Sequence, residues 1–318
     1  MKHLIPISIC LALCCHLAHA QARPIHESPD LPQPDQTLLF AQRDTCELRL
    51  DFYSAGPGNR PLIIHVFGGG FVMGVRNHPD DRPWYRQMAD AGYHVAAIDY
   101  RLGMKNKTIK GKLSMPPILD EALQAAVDDL YAATNYLLEH ASELGIDPDH
   151  IIISGSSAGA MTVLQAEWER CNGKPEAQVL PDGFRYAGVM AFAGAVLSVD
   201  GPILFPQKPC PIMLLYGTAD KMVPPGSITF FRNHFAGSET LAKKLADIDA
   251  NFQVFRFDGA GHEISVSMRR NVPEELRFLE ENVLKGVFRP LDATLSDAGM
   301  QDPGWGTLTT RDLYNNTN

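Results

Sequence analysis

The stretch Ile151-Ile152-Ile153-Ser154-Gly155-Ser156-Ser157-Ala158-Gly159-Ala160 decides how the rest of this chain is read. Three consecutive isoleucines with no polar alternation suit a strand covered on both faces. A helix is expected from about Ala158 to Arg170, so strand and helix are joined by Gly-x-Ser-x-Gly with Ser157 at its centre. A turn that tight leaves no room for side chains at Gly155 and Gly159. It also carries the serine oxygen clear of the backbone at a helix N-terminus, where N–H groups and the helix dipole favour negative charge.

The same alternation runs outward from this point. Upstream, Leu48, Leu50 and Phe52 alternate with Glu47, Arg49 and Asp51, the pattern of a half-buried strand, and Pro61 to Phe67 is an almost unbroken apolar run. A helix near Trp84 to Ala91 leads to a strand at Tyr93 to Ile98. From Leu119 to His140, Ala122, Leu123, Ala126, Leu130, Ala133, Leu137 and Leu138 recur at three-and-four spacing, an amphipathic helix that feeds the isoleucine strand. Downstream, strands are expected near Tyr186 to Phe192, Ile212 to Tyr216 and Phe252 to Phe257, with helices near Glu239 to Ile248 and Pro273 to Leu284. Strands that alternate with helices imply a single α/β domain, a mostly parallel sheet with helices on both faces.

Composition bounds the rest. The 318 residues are 45% apolar and 20% charged, the make-up of a folded chain, and 28 basic against 37 acidic residues argue against a phosphate-tracking surface. The basic cluster Lys105, Lys107, Lys110 and Lys112 reads as a solvated loop, so no nucleic-acid partner is expected. Residues 1–20 have a basic start (Lys2, His3), an apolar run from Leu4 to Leu17 and the small-x-small site Ala18-His19-Ala20, the pattern of a signal peptide cleaved after Ala20. The expectation is a secreted or periplasmic protein with no membrane association after cleavage. Residues 21–37, with Pro24, Pro29, Pro32 and Pro34, read as an extended tether. The α/β body is then 38–288, and 289–318 form a polar tail with Trp305 as its only strong anchor.

A serine hydroxyl needs a base to take its proton. Beyond the signal segment the chain offers His26, His65, His78, His94, His140, His150, His234 and His262. His262 stands out because Gly259-Ala260-Gly261 sets it on a loop just past a strand. His65 and His94 lie within strands and read as packed core, while His78 and His234 are outside chances. The base in turn needs a carboxylate to fix its tautomer. Asp220 ends Leu214-Leu215-Tyr216-Gly217-Thr218-Ala219-Asp220, again beyond a strand's C-terminal end. Asp258 is the rival, but its following loop already supplies the histidine, which leaves a cramped geometry. The order Ser157, Asp220, His262 is the one expected for three loops at one edge of a parallel sheet. Phe67-Gly68-Gly69-Gly70-Phe71, ending at Gly74, follows the first central strand and can expose consecutive N–H groups to a developing oxyanion.

With Phe67 to Gly74, Asp99-Tyr100-Arg101-Leu102, Gly155 to Gly159, Gly217 to Asp220 with Val223-Pro224, and Gly261-His262 in view, the chain resembles the α/β-hydrolase carboxylesterases. The likeness, over about Leu48 to Leu284, is to the group related to hormone-sensitive lipase and to bacterial feruloyl and acetyl esterases. The resemblance implies Ser157 as nucleophile, His262 as general base and then acid, Asp220 as its orienting partner, and an oxyanion hole from the N–H groups of Gly69, Gly70 and Ala158. It implies neither metal nor cofactor. One position departs: the family usually has His before the three glycines, and Phe67 stands there.

The interval from Ser157 to Asp220 already holds a helix and two strands, so no large helical lid is expected. Ile228 to Phe235, with Phe230, Phe231 and Phe235, reads either as pocket lining or as core packing, and Trp84, Tyr85 and Met73 are equally open. Cys171 ends one helix and Cys210 precedes the Asp220 strand, both at the sheet edge away from the triad, so a bridge between them is expected with Cys46 outside it. The expected function is an exported serine esterase acting on small acyl or aromatic esters, acetyl or feruloyl groups of plant polysaccharide among them. The alternatives are a serine peptidase on the same triad and a non-catalytic binding protein on the hydrolase fold.

Overall fold

The long apolar runs of the sequence become the middle strands of one sheet. A computed structural model describes residues 31–44, 46–107, 115–302 and 309–315. In chain order the elements are β1 (Gln36–Gln42), β2 (Glu47–Tyr53), β3 (Arg60–Val66), α1 (Arg82–Asp90), β4 (His94–Ile98), α2 (Met115–Glu139), α3 (Ala141–Leu144), β5 (Ile146–Ser156) and α4 (Ala158–Asn172). They continue with β6 (Gly188–Phe192), β7 (Ala195–Ser198), β8 (Ile212–Gly217), β9 (Ser227–Phe230), β10 (Asn233–Gly237), α5 (Ser238–Asp247), β11 (Phe252–Phe257), α6 (Val272–Phe278), β12 (Leu291–Leu295) and α7 (Thr310–Asn315).

Nine strands pair in the order β1-β2-β4-β3-β5-β6-β8-β11-β12. The pairs β1–β2 and β2–β4 are antiparallel and every later pair in this sheet is parallel. Alternate residues of each central strand enter opposite cores, as a period of two requires. Leu62, Ile64, Ile151, Ile153 and Leu214 face α2, α4 and α5, whereas Ile63, Ile152, Met213 and Leu215 face Trp84 and Met88 of α1 and Phe278 of α6. Both faces are therefore covered, as the unbroken apolar runs require, and each fully buried aliphatic side chain contributes about 1.5–3 kcal/mol.

The Asp99-Tyr100-Arg101-Leu102 motif acts as a brace between layers. Asp99 accepts hydrogen bonds from the Arg49 N–H and from Arg76 Nη1, at 3.1 and 2.7 Å. Arg101 Nε donates to Asp129 of α2 at 2.8 Å, and Arg43 reaches the same carboxylate at 2.9 Å. Asp129 is fully buried, so two guanidinium partners offset the cost of taking its charge out of water.

The ends of the chain differ from expectation. Gln36 and Thr37 already belong to β1, so only Leu31 to Asp35 of the expected tether are irregular among the described residues. Asp35 accepts the Ser54 N–H at 2.7 Å and pairs with Arg86 at 3.2 Å, which ties that segment down. The expected polar tail is not a surface tail throughout: β12 pairs in parallel with β11, and α7 returns to the site described below. Three exposed or short segments, β7, β10 and β9, make a second small sheet that the sequence pattern did not announce. The expected Cys171–Cys210 bridge is not formed. Both residues lean on Glu167 instead: Cys171 Sγ donates to Oε1 at 3.5 Å and the Cys210 N–H to the same oxygen at 2.8 Å. Burial, then this carboxylate, pushes both thiols up. The signal segment, Trp305, Lys110 and Lys112 lie outside the described residues. No helix among the described residues is long and apolar enough to cross a membrane.

Candidate active site

The turn between β5 and α4 is built as its glycines require. Ser157 sits at φ 52°, ψ −116°, a region that costs a non-glycine residue about 1–3 kcal/mol and persists only where its surroundings hold it. Its N–H donates to the Phe192 carbonyl at 2.8 Å, and its carbonyl accepts from Met161 at 2.9 Å. A Cβ on Gly155 would run into the backbone of Gly159, and one on Gly159 into the Val66 carbonyl of the neighbouring strand. These two positions can hold nothing larger, so strand, turn and helix stay close enough to lift Ser157 off the sheet.

The loops after β8 and β11 complete the arrangement. His262 Nε2 lies 2.8 Å from Ser157 Oγ, and His262 Nδ1 lies 2.7 Å from Asp220 Oδ2. The second oxygen of Asp220 accepts the N–H groups of Met222 and Val223 at 2.8 and 2.9 Å, so the Val223-Pro224 turn holds the carboxylate with one oxygen left for the imidazole. All three side chains are buried. Asp258 is exposed and is not at the imidazole; its carboxylate meets Thr218 instead. The other histidines are placed elsewhere. His65 is buried within β3, its pKa lowered to about 3 by burial, and His94 packs on Phe52. His78 pairs weakly with Asp80 on the surface, while His234 lines the pocket beside the site.

The glycine loop after β3 lies directly on the serine turn: a Cβ on Gly68 would come within 3.2 Å of Ser157 Cβ. Gly69 and Gly70 adopt φ 118° and 61°, left-handed conformations open to glycine. The Gly69 carbonyl accepts from Val72 and Met73, both at 3.1 Å, which curls the loop and leaves the Gly69 and Gly70 N–H groups without a backbone acceptor among the described residues. Gly70 and Ala158, two of the three donors expected for the oxyanion, line the same cavity as Ser157. Phe67 takes the family histidine's place by packing. Its ring lies 4.4 Å from that of Tyr100 and under Gly74, and Tyr100 Oη donates to the Phe67 carbonyl at 3.1 Å.

A cavity of about 260 Å³ opens over Ser157 and Ala158. Its walls come from Met115 and Leu119 of α2, Met161 of α4, Leu197 of β7, and Ile228, Phe230 and Phe235 of the β9–β10 hairpin, with Leu313 and Tyr314 of α7. Among the described residues that line it there is no Asp, Glu, Lys or Arg. The hairpin thus lines the pocket, and its Phe235 also packs against the core. Trp84 and Tyr85 belong to the core on the far face of the sheet, and Met73 is half exposed outside the cavity. Sequence reasoning missed Met115, Leu119, Leu313 and Tyr314. An apolar-aromatic pair at the end of an otherwise polar tail was the available signal for the last two. No group of side chains suited to hold a metal ion occurs among the described residues.

The overall arrangement matches that of a solved esterase from Thermogutta terrifontis with propionate bound, at a TM-score of 0.58 and 21% identity, covering 80% of this chain and 96% of that one. The chain has the α/β-hydrolase fold. Residues 50–173 of this chain match the family described as BD-FAE. Carboxylesterase NlhH of Mycobacterium tuberculosis is 27% identical over 176 residues, 54% of this chain and 50% of that one. Carboxylic ester hydrolase LipN of the same organism is 34% identical over 147 residues, 45% of this chain and 35% of that one. The chain thus spans about half the length, or less, of these two relatives. The resemblance to carboxylesterases expected from the motifs is borne out.

Proposed function

We propose that this protein is a serine carboxylic-ester hydrolase acting through an acyl-enzyme. The observation that carries the reading is the chain of contacts Asp220–His262–Ser157, at 2.7 and 2.8 Å, on the floor of an apolar cavity. Ser157 Oγ attacks the ester carbonyl carbon while His262 Nε2 takes its proton; Asp220 holds the imidazole and stabilises its charged form. The carbonyl oxygen, now negative, is held by the Gly69, Gly70 and Ala158 N–H groups. The bond to the leaving oxygen then breaks, and the proton passes from His262 to that oxygen, releasing the alcohol. Water repeats the sequence on the acyl-serine, its proton going to His262 and then back to Ser157, and the acid departs.

The cavity favours an uncharged substrate with an apolar acyl or aryl group. Within the expected classes, that supports an aromatic acyl ester such as feruloyl more than an acetyl group on a sugar, whose many hydroxyls would meet few polar side chains here. Export is part of the proposal, carried by the residue 1–20 pattern; the N-terminus of the exported protein would be Gln21.

The test pairs the wild type with Ser157→Ala. The Thermogutta esterase has been captured phosphorylated by paraoxon, so the wild type should take up one equivalent of paraoxon at Ser157 and hydrolyse p-nitrophenyl butyrate and methyl ferulate. Ser157→Ala should do neither, with turnover lower by at least about 10⁴-fold. Ester turnover that survives in Ser157→Ala would end the reading.

A further inference from the structure

The C-terminal segment, polar in composition, comes back to the mouth of the cavity. Six residues of helix, α7, are too few to be stable alone, so contacts must hold it. Tyr314 is buried, and its Oη donates to the Gly70 carbonyl at 3.1 Å, across 244 residues of sequence. Leu313 lies so close over Gly70 that a Cβ there would run into its side chain, and it forms part of the cavity wall. Thr310 Oγ1 donates to the Met222 carbonyl at 3.0 Å, and the Met222 N–H is one of the two that hold Asp220. One short helix therefore touches both the loop that carries the oxyanion donors and the loop that carries the acid.

The physical consequence concerns glycine. A Gly-Gly-Gly run has no side chains to fix its peptide planes, and its freedom opposes a fixed donor array. Because a peptide unit is planar, pinning the Gly70 carbonyl fixes the orientation of the whole Gly70–Phe71 unit and restricts the Gly69–Gly70 unit before it. Burial pushes the Tyr314 hydroxyl up to about 12, so it remains a donor across the working range of pH. Leu313 is an apolar wall facing the cavity floor at Ser157, where a few methyl groups decide which substrate groups fit.

We propose that α7 is the specificity wall of this site: Leu313 limits the size of the substrate group accepted, and Tyr314 is a positioning residue that holds the glycine loop over Ser157. The proposal rests on the serine-esterase reading above and extends it to what the enzyme prefers.

The experiment uses the full chain with Leu313→Ala, Leu313→Phe or Tyr314→Phe, each titrated with paraoxon so that rates refer to folded sites. Kinetics are measured on p-nitrophenyl esters from acetate to decanoate. Leu313→Ala should raise the decanoate-to-butyrate ratio of kcat/KM about tenfold and Leu313→Phe should move the preference toward acetate. Tyr314→Phe should lower kcat per titrated site about tenfold with KM little changed, the pattern of a lost transition-state contact. Equal ratios in both Leu313 variants and the wild type would show that Leu313 is no wall. A wild-type kcat per site in Tyr314→Phe would remove its positioning role. No paraoxon uptake by the wild type would instead sink the serine-ester reading, and the proposal with it.

Discussion

At the scale of single residues, the site depends on a carboxylate held at both of its oxygens. Asp220 spends one oxygen on the Met222 and Val223 N–H groups and the other on His262. Asp220→Asn would keep the size and most of the packing but offer an N–H where the imidazole needs an acceptor, favouring the wrong tautomer. The expected outcome is a fall in kcat of about 10⁴-fold with an unchanged melting temperature, read by stopped-flow ester hydrolysis beside thermal unfolding. Phe67 makes the opposite case. Its ring is buried against Tyr100 in a site shaped for an aromatic, so restoring the family's usual residue would bury a polar ring in an apolar place. Phe67→His should cost about 1–3 kcal/mol of stability by chemical denaturation and give no gain in kcat; a faster enzyme would show that the loop lacks a hydrogen bond this packing does not replace.

At the scale of elements, the β9–β10 hairpin shows how a short segment can matter more than its pattern suggests. Phe230 is 45% exposed yet lines the cavity, and Phe231 at the tip is 85% exposed. Phe230→Ala should therefore raise KM for aryl and long-chain esters several-fold with kcat little changed, while Phe231→Ser should leave both near the wild type. Equal effects of the two substitutions in steady-state assays would contradict this placement. The same hairpin marks the limit of what the sequence discloses. Strands β3, β5 and β8 were legible because burial on both faces writes a nearly continuous apolar run. The serine turn was legible because two glycines with no room for a Cβ leave a fixed spacing. Every residue of β9 is exposed, β7 has four residues, and β1 and β12 sit at sheet edges, so their existence depends on the strands they pair with rather than on any period of their own. The same holds for α7, whose place is set by Gly70 and Met222 and not by the residues around it.

At the scale of the whole molecule, the core on the α1 and α6 face holds two ionisable groups whose demands on pH oppose each other. Trp84 joins them: its ring lies 5.1 Å from that of His65, and its Nε1 donates to Glu275 Oε2 at 2.7 Å. His65, lowered to about 3 by burial, stays neutral in the fold, so its contribution is intact above the unfolded histidine value and is lost as pH falls from about 6.5 toward 3. Glu275 is raised well above the ordinary carboxylate value, first by burial and secondarily by Glu274, against the lowering effect of the Trp84 hydrogen bond. Its folded form holds the proton that the unfolded chain releases above about 4.3, so stability is lost as pH rises from there toward the folded value. Glu275→Gln keeps an acceptor for Trp84 and removes the ionisation. Its melting temperature should match the wild type near pH 4 and then exceed it by a margin that widens about 2–5 °C for each pH unit, until Glu275 itself ionises in the fold. Scanning calorimetry from pH 4 to 8 measures that margin directly. A difference that stays constant with pH would mean that Glu275 is ionised in the core and that Trp84 is bound to a charge.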